Sequence, residues 1–143
     1  MIEFIGKFHS AIVHFPIALV VTAGLAELVY IRTHNEHFAF TARFALNVAS
    51  ACAVAAALLG LAAAGEETSE ELRFAFGVHR VAGLVTAGLI VLAAALAGSA
   101  KRGREPWRYG LYRLVLLLAV ISVWVAGHFG ATLVLGPDHF PFP

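Results

Sequence analysis

Four long apolar segments separated by short polar ones dominate the hydrophobic pattern of this chain. They cover about residues 10–31, 38–64, 78–98 and 109–135, and each provides the roughly 20 residues that a membrane-spanning helix needs. The polar segments are short enough to join neighbouring antiparallel helices. The pattern therefore predicts an all-α fold, an up-down four-helix membrane bundle, with residues 1–143 forming a single membrane domain.

Composition supports this interpretation and narrows the function. Of 143 residues, 60% are hydrophobic and only 13% are charged, with a mean hydropathy of +0.83. A soluble domain is about half apolar and a quarter charged. Four spans leave no room for a soluble catalytic domain, so any chemistry lies in the bundle, and we expect an electron-transfer subunit more than an enzyme. The first apolar segment is too long for the core of a cleaved signal peptide, and no basic-aromatic patch indicates nucleic-acid binding.

The distribution of charge predicts the orientation. With alternating crossings, seven Lys and Arg residues fall on the side of the 32–37 and 101–108 loops, and three fall on the side of the termini. Cytoplasmic loops carry the excess of basic residues in membrane proteins. We therefore expect a multi-pass protein of the bacterial inner membrane with both termini facing outward, toward the periplasm.

Four histidines fall on that outward side: His9 and His14 at the start of the first segment, His79 in the third and His128 in the fourth. Histidine is costly within a membrane and usually marks a function there. His9 and His14 lie about 140° apart around a regular helix, so that one straight helix cannot direct both at one ligand. Pro16 removes a helical hydrogen bond and can bend this turn.

Imidazole is a common ligand of haem iron and also suits copper, zinc and non-haem iron. Glycines lie near the histidines in the sequence and would let the backbone approach a flat ligand; they are Gly83, Gly127 and Gly130. The indole of Trp124 would cover the edge of that ligand. Arg80 lies at the same level and can pair with haem propionates.

Several uses of the histidines are open. The first and third helices of a sequential bundle are diagonal, which makes His14 with His79 the preferred axial pair for haem b. His128 with His9 are then a second pair, hydrogen-bonding neighbours or the true ligands. A copper, zinc or iron ion held by three or four of these histidines is a competing interpretation, and a cofactor-free scaffold or anchor subunit of a respiratory complex is another.

Two acidic features suggest structure and partners. Glu27 lies deep in the first segment, where a salt bridge with Arg43 or Arg113 is favoured over a proton relay. The acidic loop around Glu66, Glu67, Glu70 and Glu71 is either a solvated surface or a docking site for a basic partner such as a c-type cytochrome. Other membrane subunits are expected partners as well, because a bundle of this size acts within a larger electron-transfer complex. No internal repeat is evident from the sequence.

Three motifs resemble a known family of small four-helix membrane proteins, domain of unknown function 2231, whose relatives occur with planctomycete-type cytochrome c domains. The motifs run from His9 through Val13-His14-Phe15-Pro16-Ile17-Ala18-Leu19, from His79 to Gly83, and from Gly127 to Val134. Ser10, Val81 and Ala131 stand where family members carry proline, tryptophan and a second glycine. The resemblance implies a respiratory or electron-transfer context and no particular reaction.

Overall fold

The computed structural model describes residues 8–63, 69–99 and 106–136, and these residues are helical except for short connections. The helices are α1 (His9–Ile12), α2 (His14–Thr33), α3 (Glu36–Ala63), α4 (Arg73–Ser99) and α5 (Pro106–Leu135), with a 3₁₀ turn at Glu70–Leu72 before α4. They form four segments that are long and apolar enough to cross a membrane: His9–Thr33, Glu36–Ala63, Glu70–Ser99 and Pro106–Leu135. The predicted all-α fold with four spans is confirmed, and the third span begins at Glu70, before the predicted start at residue 78.

The first span is broken near its beginning. Pro16 has no N–H to donate to the Ile12 carbonyl, and the next bond, from Ile17 N–H to the Val13 carbonyl, is stretched to 3.5 Å. The α-helix is interrupted at Val13, which separates the short α1 from α2. Pro16 thus removes the hydrogen bond as predicted, while the Val13 backbone stays in the right-handed helical region, with φ −59° and ψ −26°.

The helices pack as two hairpins. The most extensive contacts join α4 with α5 and α2 with α3, while α3 also packs on α4 and α2 on α5. The first and third spans are thus diagonal across the bundle, as expected for a sequential up-down arrangement. Most apolar side chains face outward, since only 22–28% of each span's apolar window is buried. Lipid is the environment that suits such a surface.

Small residues fill the interior. The buried core is built mainly of alanine, including Ala23, Ala45, Ala49, Ala93 and Ala119. Small side chains let helix backbones approach closely, which is how helices associate in lipid without a hydrophobic driving force.

A polar network joins the first and fourth spans at the end of the bundle where α2 finishes. Glu27 is 4% exposed, and its carboxylate accepts hydrogen bonds from Tyr109 Oη at 2.8 Å, Tyr112 Oη at 3.3 Å and Arg113 Nε at 2.9 Å. The Arg113 guanidinium also lies over the Tyr109 ring. The predicted intramembrane salt bridge is confirmed, with Arg113 as the partner.

Candidate functional site

Two histidines from diagonal spans meet across the bundle. His9, at the start of α1, and His79, in the second turn of α4, have ring centroids 6.1 Å apart and ring planes at 78°. Both are half-buried.

Each of the two rings is fixed by a backbone carbonyl of the following span. His9 Nδ1 lies 2.8 Å from the Ala56 carbonyl oxygen, and His79 Nδ1 lies 2.9 Å from that of Ala126. A carbonyl oxygen only accepts hydrogen bonds, so Nδ1 is the donor in both rings. In a neutral imidazole this leaves the lone pair on Nε2. The same arrangement orients metal-ligating histidines in proteins, where the second ring nitrogen donates to a carbonyl or carboxylate.

A glycine lies against each of these two imidazoles. A Cβ atom placed on Gly60 would lie 3.0 Å from His9 Cε1, and one placed on Gly130 would lie 2.9 Å from His79 Cε1. Glycine at these positions lets the ring lie directly on the neighbouring helix.

The two histidines line an apolar cavity of about 520 Å³ that continues into the bundle. Its volume is within the roughly 300–1,000 Å³ that ligand sites have. The cavity wall is made of small and aliphatic side chains from all four spans, and it includes three predicted site residues, Gly83, Gly127 and Gly130. Thr86 lines it too, and its hydroxyl hydrogen-bonds Ser122 Oγ at 2.6 Å.

A second cavity, of about 370 Å³, shares both histidines with the apolar cavity. It is also lined by Ser69 and by the exposed side chain of Arg80. The imidazole pair is therefore common to an apolar cavity and to one that carries a guanidinium group.

The family model described as a predicted membrane protein, DUF2231, matches residues 7–137. The chain belongs to this family. Comparison with curated proteins and with solved structures finds no match.

The other two predicted histidines have different surroundings in this DUF2231 protein. His14 is exposed in the first turn of α2 and lines the apolar cavity beside His9. The ring that faces His79 is therefore that of His9, whereas His14 was the expected partner. The reason is angular, because residues five positions apart lie about 140° apart around a helix.

His128 and Trp124 lie outside the walls of both cavities. His128 packs edge to face on Phe129, with ring centroids 5.2 Å apart. Trp124 is 70% exposed on the outer face of α5. The indole thus lies outside the walls of the cavity whose ligand it was expected to cover.

Metal binding by three or four histidines is not supported by the geometry. Within residues 8–63, 69–99 and 106–136, no three His, Cys, Asp or Glu side chains approach closely enough to hold one metal ion. The acidic loop is described only in part, since Glu66 and Glu67 lie outside these residues. Glu70 forms an exposed salt bridge with Arg73 at 3.0 Å.

Three elements of the site were not predicted from the sequence. These are the carbonyl groups of Ala56 and Ala126, which any residue can supply, and Gly60, which looks like one more small residue in an alanine-rich helix. Only the spacing contained a signal, because the separation along the chain between histidine and carbonyl partner is the same in both pairs.

Proposed function

We propose that this DUF2231 protein binds haem b between His9 and His79 and serves as an electron-transfer subunit of a membrane complex. The observation that carries the proposal is the meeting of two imidazoles from diagonal helices, each with Nδ1 donating to a backbone carbonyl. The lone pairs on both Nε2 atoms are then available to one iron.

The separation of the rings fits one shared metal centre. Each ligating nitrogen lies about 2 Å from its metal, so the centroids of two imidazoles on opposite sides of one ion are roughly 6 Å apart. The observed separation of 6.1 Å agrees with this value. Two imidazoles are also the ligand set that holds many membrane b-type haems.

The surroundings favour a large, flat and mainly apolar group. The cavity of about 520 Å³ next to the histidines is lined chiefly by Gly, Ala and aliphatic residues. Arg80 in the adjoining cavity supplies a cation for carboxylates of the bound group. Haem combines an apolar ring with two propionates, which matches this combination.

The proposed cellular setting follows from charge. The positive-inside rule places the histidine end of the bundle on the periplasmic side of a bacterial inner membrane. Electrons would pass between this site and other membrane subunits or a c-type cytochrome. The acidic loop offers a surface for a basic redox partner.

A cofactor-free scaffold is the second candidate, and one observation favours it. The two imidazole–carbonyl bonds already connect the first span to the second and the third to the fourth. Interhelical hydrogen bonds of this kind stabilise membrane bundles without any ligand.

The absorption spectrum of the purified full-length protein tests the proposal. We expect about one haem per chain, with a Soret band that shifts on dithionite reduction, and loss of haem in His9→Ala and in His79→Ala. The matched control is His128→Ala, because His128 lies outside the cavity walls and its removal should leave the spectrum unchanged. Colourless protein that co-purifies with other subunits, and whose unfolding midpoint falls in His9→Ala, would instead establish the scaffold.

A further inference from the structure

The two imidazole–carbonyl hydrogen bonds are related by a constant shift along the chain. The step in residue number from His9 to His79 equals the step from Ala56 to Ala126, and we call this step the half-chain shift. The glycines show it too, because it leads from Gly60, which contacts the His9 ring, to Gly130, which contacts the His79 ring. A histidine, its carbonyl acceptor and its supporting glycine therefore occur twice in one spatial arrangement.

Many buried core residues are also related in pairs by the half-chain shift. Nine pairs of buried residues in the spans are related by it, among them Val20 with Ile90 and Leu46 with Leu116. The apolar cavity repeats as well, since seven pairs of its lining residues, such as Ala57 with Gly127, have this separation. The correspondence thus extends through the interior of the bundle and is not limited to the histidines.

The topology permits only one kind of relation between the halves. The first and third spans run in the same direction in an up-down bundle, and the closest packing lies within each hairpin. A rotation of about half a turn around an axis parallel to the helices therefore places one hairpin on the other. The histidines from the two halves face each other across this axis, 6.1 Å apart.

We infer that the described parts of residues 9–63 and 79–133 are two copies of one helical hairpin, and that the ligand site lies on the pseudo-twofold axis between them, with one imidazole from each copy. This inference rests on the proposed function for the nature of the ligand. A centre on such an axis is coordinated equally from both faces. If the bound group is haem, the two imidazoles would both ligate the iron, leave no position open for oxygen and favour the low-spin state, so the chemistry supplied would be electron transfer.

Sequence identity between the copies is too low to reveal them. Ten of 55 aligned positions are identical, in segments dominated by alanine, leucine and valine. The identical residues nonetheless include both site histidines, both contacting glycines and both acceptor alanines. Arg43 and Arg113 also correspond, whereas Glu27, the partner of Arg113, corresponds to Ala97.

Matched substitutions in the full-length protein test the symmetry of the site. We expect His9→Ala and His79→Ala to abolish the low-spin electron paramagnetic resonance signal to the same extent. Gly60→Ala and Gly130→Ala displace equivalent imidazoles and should each lower haem occupancy about tenfold, as loss of support around a ligand does. Gly88→Ala is the control, because a Cβ there meets no atom within 4 Å. A low-spin signal that survives removal of either histidine, or unequal effects of the two glycine variants beyond threefold, would overturn the inference.

A second test does not depend on haem, so it separates failure of the inference from failure of the proposed function. If the halves correspond, a glutamate at position 97 faces Arg43 as Glu27 faces Arg113. We expect Ala97→Glu to raise the unfolding midpoint of the Glu27→Ala variant, and Arg43→Ala to cancel this gain. A midpoint that Ala97→Glu lowers equally with and without Arg43 would refute the duplication, whereas haem-free wild-type protein refutes only the proposed ligand.

Discussion

Removal of Arg113 should destabilise the bundle more than removal of its partner Glu27. The Glu27 side chain is 5% exposed and that of Arg113 is 37% exposed. In Arg113→Ala the carboxylate stays buried and keeps Tyr109 and Tyr112 as its donors among the described residues, and an uncompensated buried charge costs about 3–5 kcal/mol. In Glu27→Ala the guanidinium can extend to water along its flexible stem.

The smaller loss of stability, that of Glu27→Ala, can be calculated from the hydrogen bonds that the variant removes. Interhelical hydrogen bonds in membranes contribute about 0.6 kcal/mol on average. Glu27 accepts three of them, so Glu27→Ala should cost about 2 kcal/mol. Tyr109→Phe removes a single bond and should cost about 0.6 kcal/mol. The expected order of destabilisation is therefore Arg113→Ala, Glu27→Ala and Tyr109→Phe.

Reversible unfolding in mixed micelles by sodium dodecyl sulfate, followed by circular dichroism, measures these differences. Arg43→Ala is the matched control, since Arg43 occupies the corresponding position of the other hairpin, is exposed and should cost no more than about 0.5 kcal/mol. A loss in Arg113→Ala that equals the control, or that is smaller than the loss in Glu27→Ala, would show that the buried carboxylate does not govern stability here.

Three further outcomes are expected. Pro16→Ala restores the N–H for the Ile12 carbonyl and should raise the unfolding midpoint; an unchanged midpoint would show that the missing hydrogen bond does not weaken the first span. Thr86→Val removes the hydrogen bond to Ser122 and should cost about 0.6 kcal/mol in the same unfolding assay, and no measurable loss would show that this pair does not hold the third and fourth spans together. Arg80→Gln should weaken haem retention a few-fold during dilution without changing the unfolding midpoint, and equal retention would remove Arg80 from the site.

The fold could be predicted from the sequence because the formation of each membrane span depends only on consecutive residues. A run of about 20 apolar residues satisfies its own backbone hydrogen bonds as a helix in lipid, whatever its neighbours are. The number of spans, their bounds and the diagonal placement of the first and third follow from this and from the short connections. The salt bridge of Glu27 was predictable in kind, since a carboxylate deep in a span needs a cation, but the choice of Arg113 over Arg43 depends on packing.

The site was accessible only in part. The sequence located four histidines at one end of the bundle, because position along a helix sets depth. Which rings meet depends on the rotation of each helix about its own axis, and this rotation selects His9 over His14. Likewise, the exposed position of Trp124 could not be predicted before it was known which face of α5 packs against the other helices.

The four long apolar segments of the sequence by themselves determined that this chain is a four-span membrane bundle with histidines near one end. Helix formation and membrane insertion depend on consecutive residues, which is why the sequence was sufficient. The tertiary structure alone decided that His9 and His79 form the pair, that glycines and carbonyl groups fix them, and that the two hairpins correspond through the half-chain shift. These features depend on contacts between segments that are distant in the sequence. One small apolar residue can replace another without altering such contacts, so the two hairpins can keep the same structure while their sequences differ.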